Sequence, residues 1–267
     1  MSSPRSPSLC LCDLGTSAAP PPPVIATLPR VSDAEHCAEG TTHIFWWGEQ
    51  GLALGAVGQS TLQATRINFE DPALLYRLRT SGKRQGIGKA VGLDKAKGCV
   101  RVLDTTAGLG RDALVLAYLG CEVQMFERSP WVHALLEDGL RRAHLSDEAV
   151  VRDAASRMRL AHANSLTYLQ EMLDAAPDVI YLDPMFPPRR KSAAVKKDIG
   201  VLQGLLGPDD DLPALLELAL CVATRRVVVK RPPDQSDIAG PKPSFTLEGK
   251  AAHFSIYVIR AMSDHPG

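Results

Sequence analysis

Asp183 ends an apolar run, Val179-Ile180-Tyr181-Leu182, and Pro184, Met185 and Phe186 follow at once. Residues of those types could hold a poorly nucleophilic planar amine. The lone pair of an exocyclic amine on a nucleobase is delocalised into the ring. Such a nitrogen attacks only when held in line with an electrophilic carbon. A carboxylate and a backbone carbonyl can accept its two hydrogens, while an aromatic ring stacks on the base. Asp183, the Pro184 carbonyl and Phe186 are the catalytic candidates for those three parts. The expected reaction is a direct in-line displacement in which Asp183 positions the amine. A strand end followed by a proline turn would produce the same letters with no chemistry attached.

A second motif lies upstream. The apolar run Cys99-Val100-Arg101-Val102-Leu103 ends at Asp104, and Thr105-Thr106-Ala107-Gly108-Leu109-Gly110 follows. An apolar-periodic segment then predicts a helix from Arg111 to Leu119. Glycines between a strand and a helix let the backbone approach a ligand and leave the N-terminal N–H groups of the helix exposed to it. Another strand, Glu122 to Phe126, ends in Glu127, about 20 residues beyond the turn, where an acid can accept hydrogen bonds from ribose hydroxyls. The pair predicts a nucleoside-cofactor site at the carboxyl ends of parallel strands. Gly108, Gly110 and Ala113 also fit the dinucleotide fingerprint, so an NAD-binding oxidoreductase competes. Asp104 favours S-adenosylmethionine, because methyltransferases often place an acid there facing the methionine end of the cofactor. Hydride transfer also has no evident use for the residues around Asp183.

The run Asp183-Pro184-Met185-Phe186 resembles the Asp-Pro-Pro-Tyr type motif of enzymes that methylate exocyclic amines of nucleobases. Five segments narrow the likeness. They are Asp104-Thr-Thr-Ala-Gly-Leu-Gly-Arg-Asp112, Phe126-Glu-Arg-Ser-Pro130, Tyr181-Leu-Asp-Pro-Met-Phe-Pro187, Lys191-Ser-Ala-Ala-Val-Lys-Lys197 and Val227-Val-Val-Lys-Arg-Pro232. From about Asn68 to Tyr257 the chain resembles the RsmJ family, bacterial guanine-N2 methyltransferases of small-subunit ribosomal RNA. The resemblance implies an α/β fold of the class I SAM-dependent methyltransferase type, with a Rossmann-like doubly wound sheet. It also implies S-adenosyl-L-methionine as methyl donor, and 16S rRNA or the small ribosomal subunit as partner, with a guanosine N2 amine as acceptor. The implied cofactor contacts are Arg111, Asp112, Glu127, Arg128, Asn164, Ser165 and Asp183, beside Asp104, Gly108 and Gly110 of the turn. The chain departs from the family pattern at Asn164, where the family has Ser, and at Pro188, where it tends to have His or a similar polar residue. Two other readings stay open: an adenine-N6 nucleic-acid methyltransferase, which shares the amine chemistry, and a non-catalytic RNA-binding protein.

The chain carries 30 basic and 30 acidic residues, so it is no generic polyanion binder. An RNA enzyme must then gather positive charge locally. Arg189, Arg190, Lys191, Lys196 and Lys197 follow the amine motif directly, and Lys230 and Arg231 close another apolar strand. These are the candidate phosphate contacts, although a charge run is also what a solvated loop contains. The six cysteines form no Cys-x-x-Cys pair and no zinc spacing with histidine, so no metal is expected. They read as reduced thiols, with Cys99, Cys121 and Cys221 in apolar contexts.

The elements that must position these residues are legible from periodicity. Residues 1–30, rich in Ser and Pro, predict a disordered tail. Residues 31–90 predict a small N-terminal β-containing appendage and a linker. Trp46 and Trp47 there are candidates either for core packing or for contact with bases. Residues 91–262 predict the methyltransferase domain. Within it, helices are expected at Pro130–Ala143 and Leu212–Ala223. Strands are expected at Met158–Ala161, Val179–Leu182 and Arg226–Val229, and a terminal hairpin pairs Phe245–Leu247 with Phe254–Ile259. No apolar run suits a signal peptide or a membrane span, and a cytoplasmic location is expected.

Overall fold

The computed structural model describes residues 8–17, 19–84, 86–171, 176–184, 200–201, 205–206, 211–233, 235 and 239–263. Contacts divide the chain into two units. One comprises Met1–Asn68, Ser129–Arg142 and Pro188–Gly207, and the other Phe69–Arg128, Ala143–Pro187 and Pro208–Gly267.

The first unit is built on four strands, β1 (Leu9–Asp13), β2 (Arg30–Val31), β3 (His43–Gly48) and β4 (Gly51–Ala56), in the order β2-β1-β3-β4. β1 runs parallel to both of its neighbours, and β3 and β4 form a hairpin closed by Gly48 opposite Gly51. Gly51 adopts φ 87°, a left-handed conformation that favours glycine. Strand alternation sorts the side chains. Cys10, Cys12, Ile44, Trp46 and Ala53 cluster in one core, whereas the fully buried Phe45 meets Trp131 with ring centroids 6.1 Å apart. The expected disorder of residues 1–30 therefore fails for the segment containing β1. Leu9-Cys10-Leu11-Cys12 is apolar on both faces and pays its ordering entropy by burial beside β3. Trp46 and Trp47 are each 3% exposed, and Trp47 Nε1 donates to the Ala19 carbonyl at 2.9 Å. Both rings are core, not a stacking platform for bases.

The second unit carries seven strands. They are β5 (Arg101–Asp104), β6 (Glu122–Glu127), β7 (Met158–His162), β8 (Val179–Leu182), β9 (Arg226–Arg231), β10 (Phe245–Leu247) and β11 (His253–Val258). Their order is β10-β11-β9-β8-β5-β6-β7, with β9, β8, β5, β6 and β7 parallel and β11 antiparallel to β9. From β5 the chain winds outward through β6 and β7, then returns to the other flank of β5 for β8 and β9. That reversal makes β5 and β8 the switch point, where open α/β sheets bind ligands. β8 is buried at all four positions, as a central parallel strand covered on both faces should be. Leu103, Ile180, Leu182, Val227 and Val229 pack with Leu215, Leu216 and Ala219 of the helix Leu212–Val222.

Most expected elements lie within a residue or two of the observed ones. The helix Ala149–Ala155 is not visible in the sequence pattern. Cys99 and Cys221, despite their apolar sequence contexts, are exposed. None of the described helices is long and apolar enough to cross a membrane.

Candidate active site

Hydrogen bonds stitch the turn after β5 to the neighbouring strand tips. Thr105 N–H donates to the Tyr181 carbonyl at 3.0 Å, and the Asp183 N–H donates to Thr106 Oγ1 at 2.6 Å. On the other flank, Ala107 N–H donates to the Phe126 carbonyl at 3.2 Å and Gly108 N–H to Glu127 Oε2 at 3.2 Å. Ser165, at the start of the helix after β7, donates its hydroxyl to the Thr105 carbonyl at 2.7 Å. Gly108 and Gly110 take φ values of 51° and 69°, both left-handed. Among the described residues, a Cβ built on Gly108 would meet only the Thr106 carbonyl oxygen, at 3.8 Å, so none of them crowds the turn. An open glycine turn next to the buried carboxylate of Glu127 is what an adenosine-type cofactor requires, and these residues fit S-adenosylmethionine on that ground.

On the β8 side the tips hold an alternating chain of charge. Lys230 Nζ on β9 lies 2.7 Å from Asp183 Oδ2 and 2.8 Å from Asp112 Oδ2. Arg77, from the helix Pro72–Thr80, donates to Asp112 Oδ1 at 2.6 Å, and Tyr181 Oη donates to Asp112 Oδ2 at 2.6 Å. Burial pushes the Asp112 carboxyl towards its acid form. The Lys230 ammonium and Arg77 guanidinium outweigh burial and hold it well below the usual carboxylate range. Burial likewise opposes the charge on Lys230, but Asp112 and Asp183 keep it above the ordinary lysine range. Asp183 is pushed up to about 6, because burial and the Asp112 charge exceed what Lys230 and Arg77 return. Its side chain keeps 36% of its surface accessible, enough for a ligand to reach.

Asp104 differs in having no cation in contact with it among the described residues. It is 2% exposed, accepts the Thr106 N–H at 3.1 Å on Oδ1, and is pushed up to about 8, chiefly by burial. That shift favours its protonated form in the free protein.

The remaining predicted site residues have the following surroundings. Lys230 was expected to meet a phosphate, but its ammonium is committed between two carboxylates. Arg231, also expected at phosphate, turns back onto the protein, with Nε donating to Ser255 Oγ at 3.0 Å and a second nitrogen bonded to the Gln235 carbonyl. Asp112, expected at the cofactor, is 7% exposed, and both of its oxygens are taken by Arg77, Lys230 and Tyr181. Arg128 pairs with Asp211 at 2.7 Å. Asn164 caps the following helix through Oδ1, 3.0 Å from Leu166 N–H. Arg111 is exposed in the first turn of the helix Arg111–Tyr118. Pro184 is buried. Phe186, Arg189, Arg190, Lys191, Lys196 and Lys197 lie outside the described residues.

Sequence reading missed Arg77, Thr106 and Tyr181. A tyrosine inside an otherwise aliphatic buried strand was the one available signal, since a buried phenol needs a polar partner. Arg77 gives none, being brought to Asp112 by tertiary packing alone. Among the described residues, no three His, Cys, Asp or Glu side chains are grouped to hold a metal ion.

Comparison with known proteins agrees with this geometry. The family model SAM_MT, describing SAM-dependent methyltransferases, matches residues 32–259. The chain is 49% identical over 217 residues to ribosomal RNA small subunit methyltransferase J of Pseudomonas fluorescens strain Pf0-1, covering 80% of this chain and 82% of that one. The same enzyme of Pseudomonas aeruginosa strain LESB58 is 46% identical over 236 residues, 88% of this chain and 87% of its own. A crystal structure of a SAM-dependent methyltransferase from Neisseria gonorrhoeae matches with a TM-score of 0.70 at 31% identity, covering 94% of this chain and 95% of that one. The fingerprint at Gly108, Gly110 and Ala113 is thus that of a methyl-transfer enzyme and not of a nicotinamide oxidoreductase. The sheet, its glycine turn and these likenesses converge: the chain belongs to the ribosomal RNA small subunit methyltransferase J (RsmJ) family of SAM-dependent methyltransferases.

Proposed function

We propose that this chain transfers a methyl group from S-adenosylmethionine to the N2 amine of a guanosine in 16S rRNA, within the free RNA or the small subunit. The observation that carries the reading is the bond from the Asp183 N–H to Thr106 Oγ1. It sets an accessible carboxylate directly beside an open glycine turn. When bound, S-adenosylmethionine supplies a methyl group already activated by its sulfonium. The turn at Gly108 and Gly110 would admit the cofactor, with Glu127 at its ribose and Asp104 towards its methionine end. Asp183 and the Pro184 carbonyl would accept the two hydrogens of the guanine amine, and Phe186 would stack on the base. Transfer of that methyl to the amine nitrogen would leave a surplus proton on the nitrogen, which Asp183 or water would accept. An aspartate near 6 is a better proton acceptor at neutral pH than an ordinary one. Positioning remains its larger contribution.

Arg189, Arg190, Lys191, Lys196 and Lys197 are the proposed phosphate contacts, and residues 91–262, the proposed catalytic domain, contain every residue named here. Nucleoside mass spectrometry of 16S rRNA from cells with and without the gene tests the reading. Loss of N2-methylguanosine, restored by the wild-type gene, is the expected result. Loss of N6-methyladenosine instead would assign the chain to adenine, and an unchanged nucleoside profile would remove RNA methylation altogether.

A further inference from the structure

Lys230 is the element of the site that sequence reading assigned elsewhere. An ammonium has three donors, and two of them are directed at Asp112 Oδ2 and Asp183 Oδ2. Oδ1 of Asp183 has no partner among the described residues, although its neighbour oxygen is held at 2.7 Å. The charged and titratable groups around Asp183 come from five elements. Lys230 on β9 and Arg77 on the helix Pro72–Thr80 are cationic. Asp112 on the helix Arg111–Tyr118 and Asp104 on β5 are acids, and Tyr181 on β8 is a neutral phenol bound to Asp112.

We infer that Lys230 is a positioning residue for methyl transfer: it clamps one oxygen of Asp183, keeps that group a carboxylate, and so leaves Oδ1 as the acceptor for the substrate amine. This rests on the proposed role of Asp183. The requirement follows from donor and acceptor arithmetic. An exocyclic amine offers two hydrogens and no usable lone pair. A carboxylic acid there would present its own hydrogen to a group unable to accept it. The surroundings favour that unproductive acid, because the side chain is partly buried and faces the charge of Asp112. Among the described residues, Lys230 is the cation in direct contact that opposes it. Asp112 in turn is pinned by Arg77 and Tyr181, so Lys230 is held from behind. The order Arg77–Asp112–Lys230–Asp183 is a strut of alternating charge ending at the reactive carboxylate.

The test compares wild type with Lys230→Met and Lys230→Arg. It measures kcat/KM on small ribosomal subunits from pH 5 to 9, and the carbon-13 titration of the Asp183 carboxyl, assigned by its loss in Asp183→Asn. In the wild type the acid limb should fall near 6, matching the Asp183 titration. Removing a contacting opposite charge raises a carboxyl by ~1–3 units, so Lys230→Met should move limb and titration upward together. At pH 7 that is a loss of roughly two- to a hundredfold, at least half recovered by pH 9. Lys230→Arg should keep the limb near the wild-type position even if kcat falls. A loss uniform across pH, with the Asp183 titration unmoved, would make Lys230 a structural residue and overturn the inference. A moved titration with an unmoved rate profile would overturn it equally. Should Lys230→Met not fold, the wild-type Lys230 Nζ resonance decides. It must shift with the same midpoint as Asp183, and its indifference to that titration would refute the clamp. If Asp183→Asn retains full activity, the proposed role of Asp183 fails, whatever the carboxyl titration shows.

Discussion

The Asp183 backbone N–H donates to the Thr106 side-chain oxygen at 2.6 Å, so the tip of β8 and the glycine turn after β5 are one piece. The donor half belongs to the residue proposed to hold the amine, and the acceptor half to the turn proposed to hold the methyl donor. Thr106→Val keeps the shape and removes the acceptor. Leaving a donor unpaired costs ~1–3 kcal/mol where it is buried, and less where water reaches it. The functional effect should be larger than the stability effect, because in-line displacement tolerates little misplacement; a drift of about 1 Å costs on the order of a hundredfold. Turnover under saturating conditions should drop by ten- to a hundredfold, with cofactor affinity by calorimetry changed by less than about fivefold. Equal losses in affinity and turnover would show that the bond does not couple the two halves.

Asp183→Ala should abolish methyl transfer while leaving the far-ultraviolet dichroism of the protein unchanged. The side chain is accessible on one face, and its removal opens the strut at its free end. Phe186→Ala should weaken turnover on RNA by the ~1–3 kcal/mol of a base–aromatic contact, with cofactor affinity retained. The two variants separate orientation from stacking, and a selective loss of cofactor binding in Phe186→Ala would contradict the stacking role.

How much of this site was visible beforehand follows from the physics of each signal. β5, β6 and β8 are short apolar runs ending in an acid, and the glycines after β5 have a backbone reason to be there. Those features are local and so are readable. The partners of Asp112 are not. Arg77 and Lys230 are 35 and 118 positions away along the chain, and nothing in composition distinguishes a lysine bound for a phosphate from one bound for a carboxylate. Burial decides it, and burial is a property of the folded sheet. The same limit explains β1, where proximity to a Ser- and Pro-rich stretch hid four residues with enough apolar surface to join a sheet.

The first unit depends on a buried acid that carries no proposed chemistry. Asp138, its side chain 1% exposed, accepts from Leu52 N–H and Arg142 Nε at 2.9 Å on Oδ2, and from Arg141 at 2.9 Å on Oδ1. Arg142 also donates to the Ile67 carbonyl at 2.5 Å. Asp138→Ala would leave two guanidinium groups and a strand N–H without this acceptor, which typically costs ~3–5 kcal/mol. Asp138→Asn keeps the size and one acceptor and should cost less. Denaturant melts should rank wild type, Asn, Ala in falling midpoint, and near-wild-type stability of Asp138→Ala would show that the acid is dispensable.

Asp104 supplies a pH dependence whose sign can be worked out. Its folded value, about 8, lies above the ordinary 3.8, so the folded protein keeps a proton that the unfolded chain releases across that interval. Stability from this group is therefore fully present below about 4, declines as pH rises towards 8, and levels off beyond. Asp104→Asn has no proton to lose and retains an oxygen for the Thr106 N–H. The melting-temperature difference, Asn minus Asp, should grow between pH 5 and pH 8, on the order of 1 kcal/mol per pH unit at most, each kcal/mol being ~2–4 °C for a chain of this size. Asp183, also raised, is present in both proteins and cancels. A difference that stays flat across that range would mean that Asp104 is ionised in the folded protein. The linked expectation for ligand binding would then fail as well: below pH 8, taking up the cationic S-adenosylmethionine should expel the Asp104 proton, seen as a dependence of the calorimetric heat on the ionisation enthalpy of the buffer.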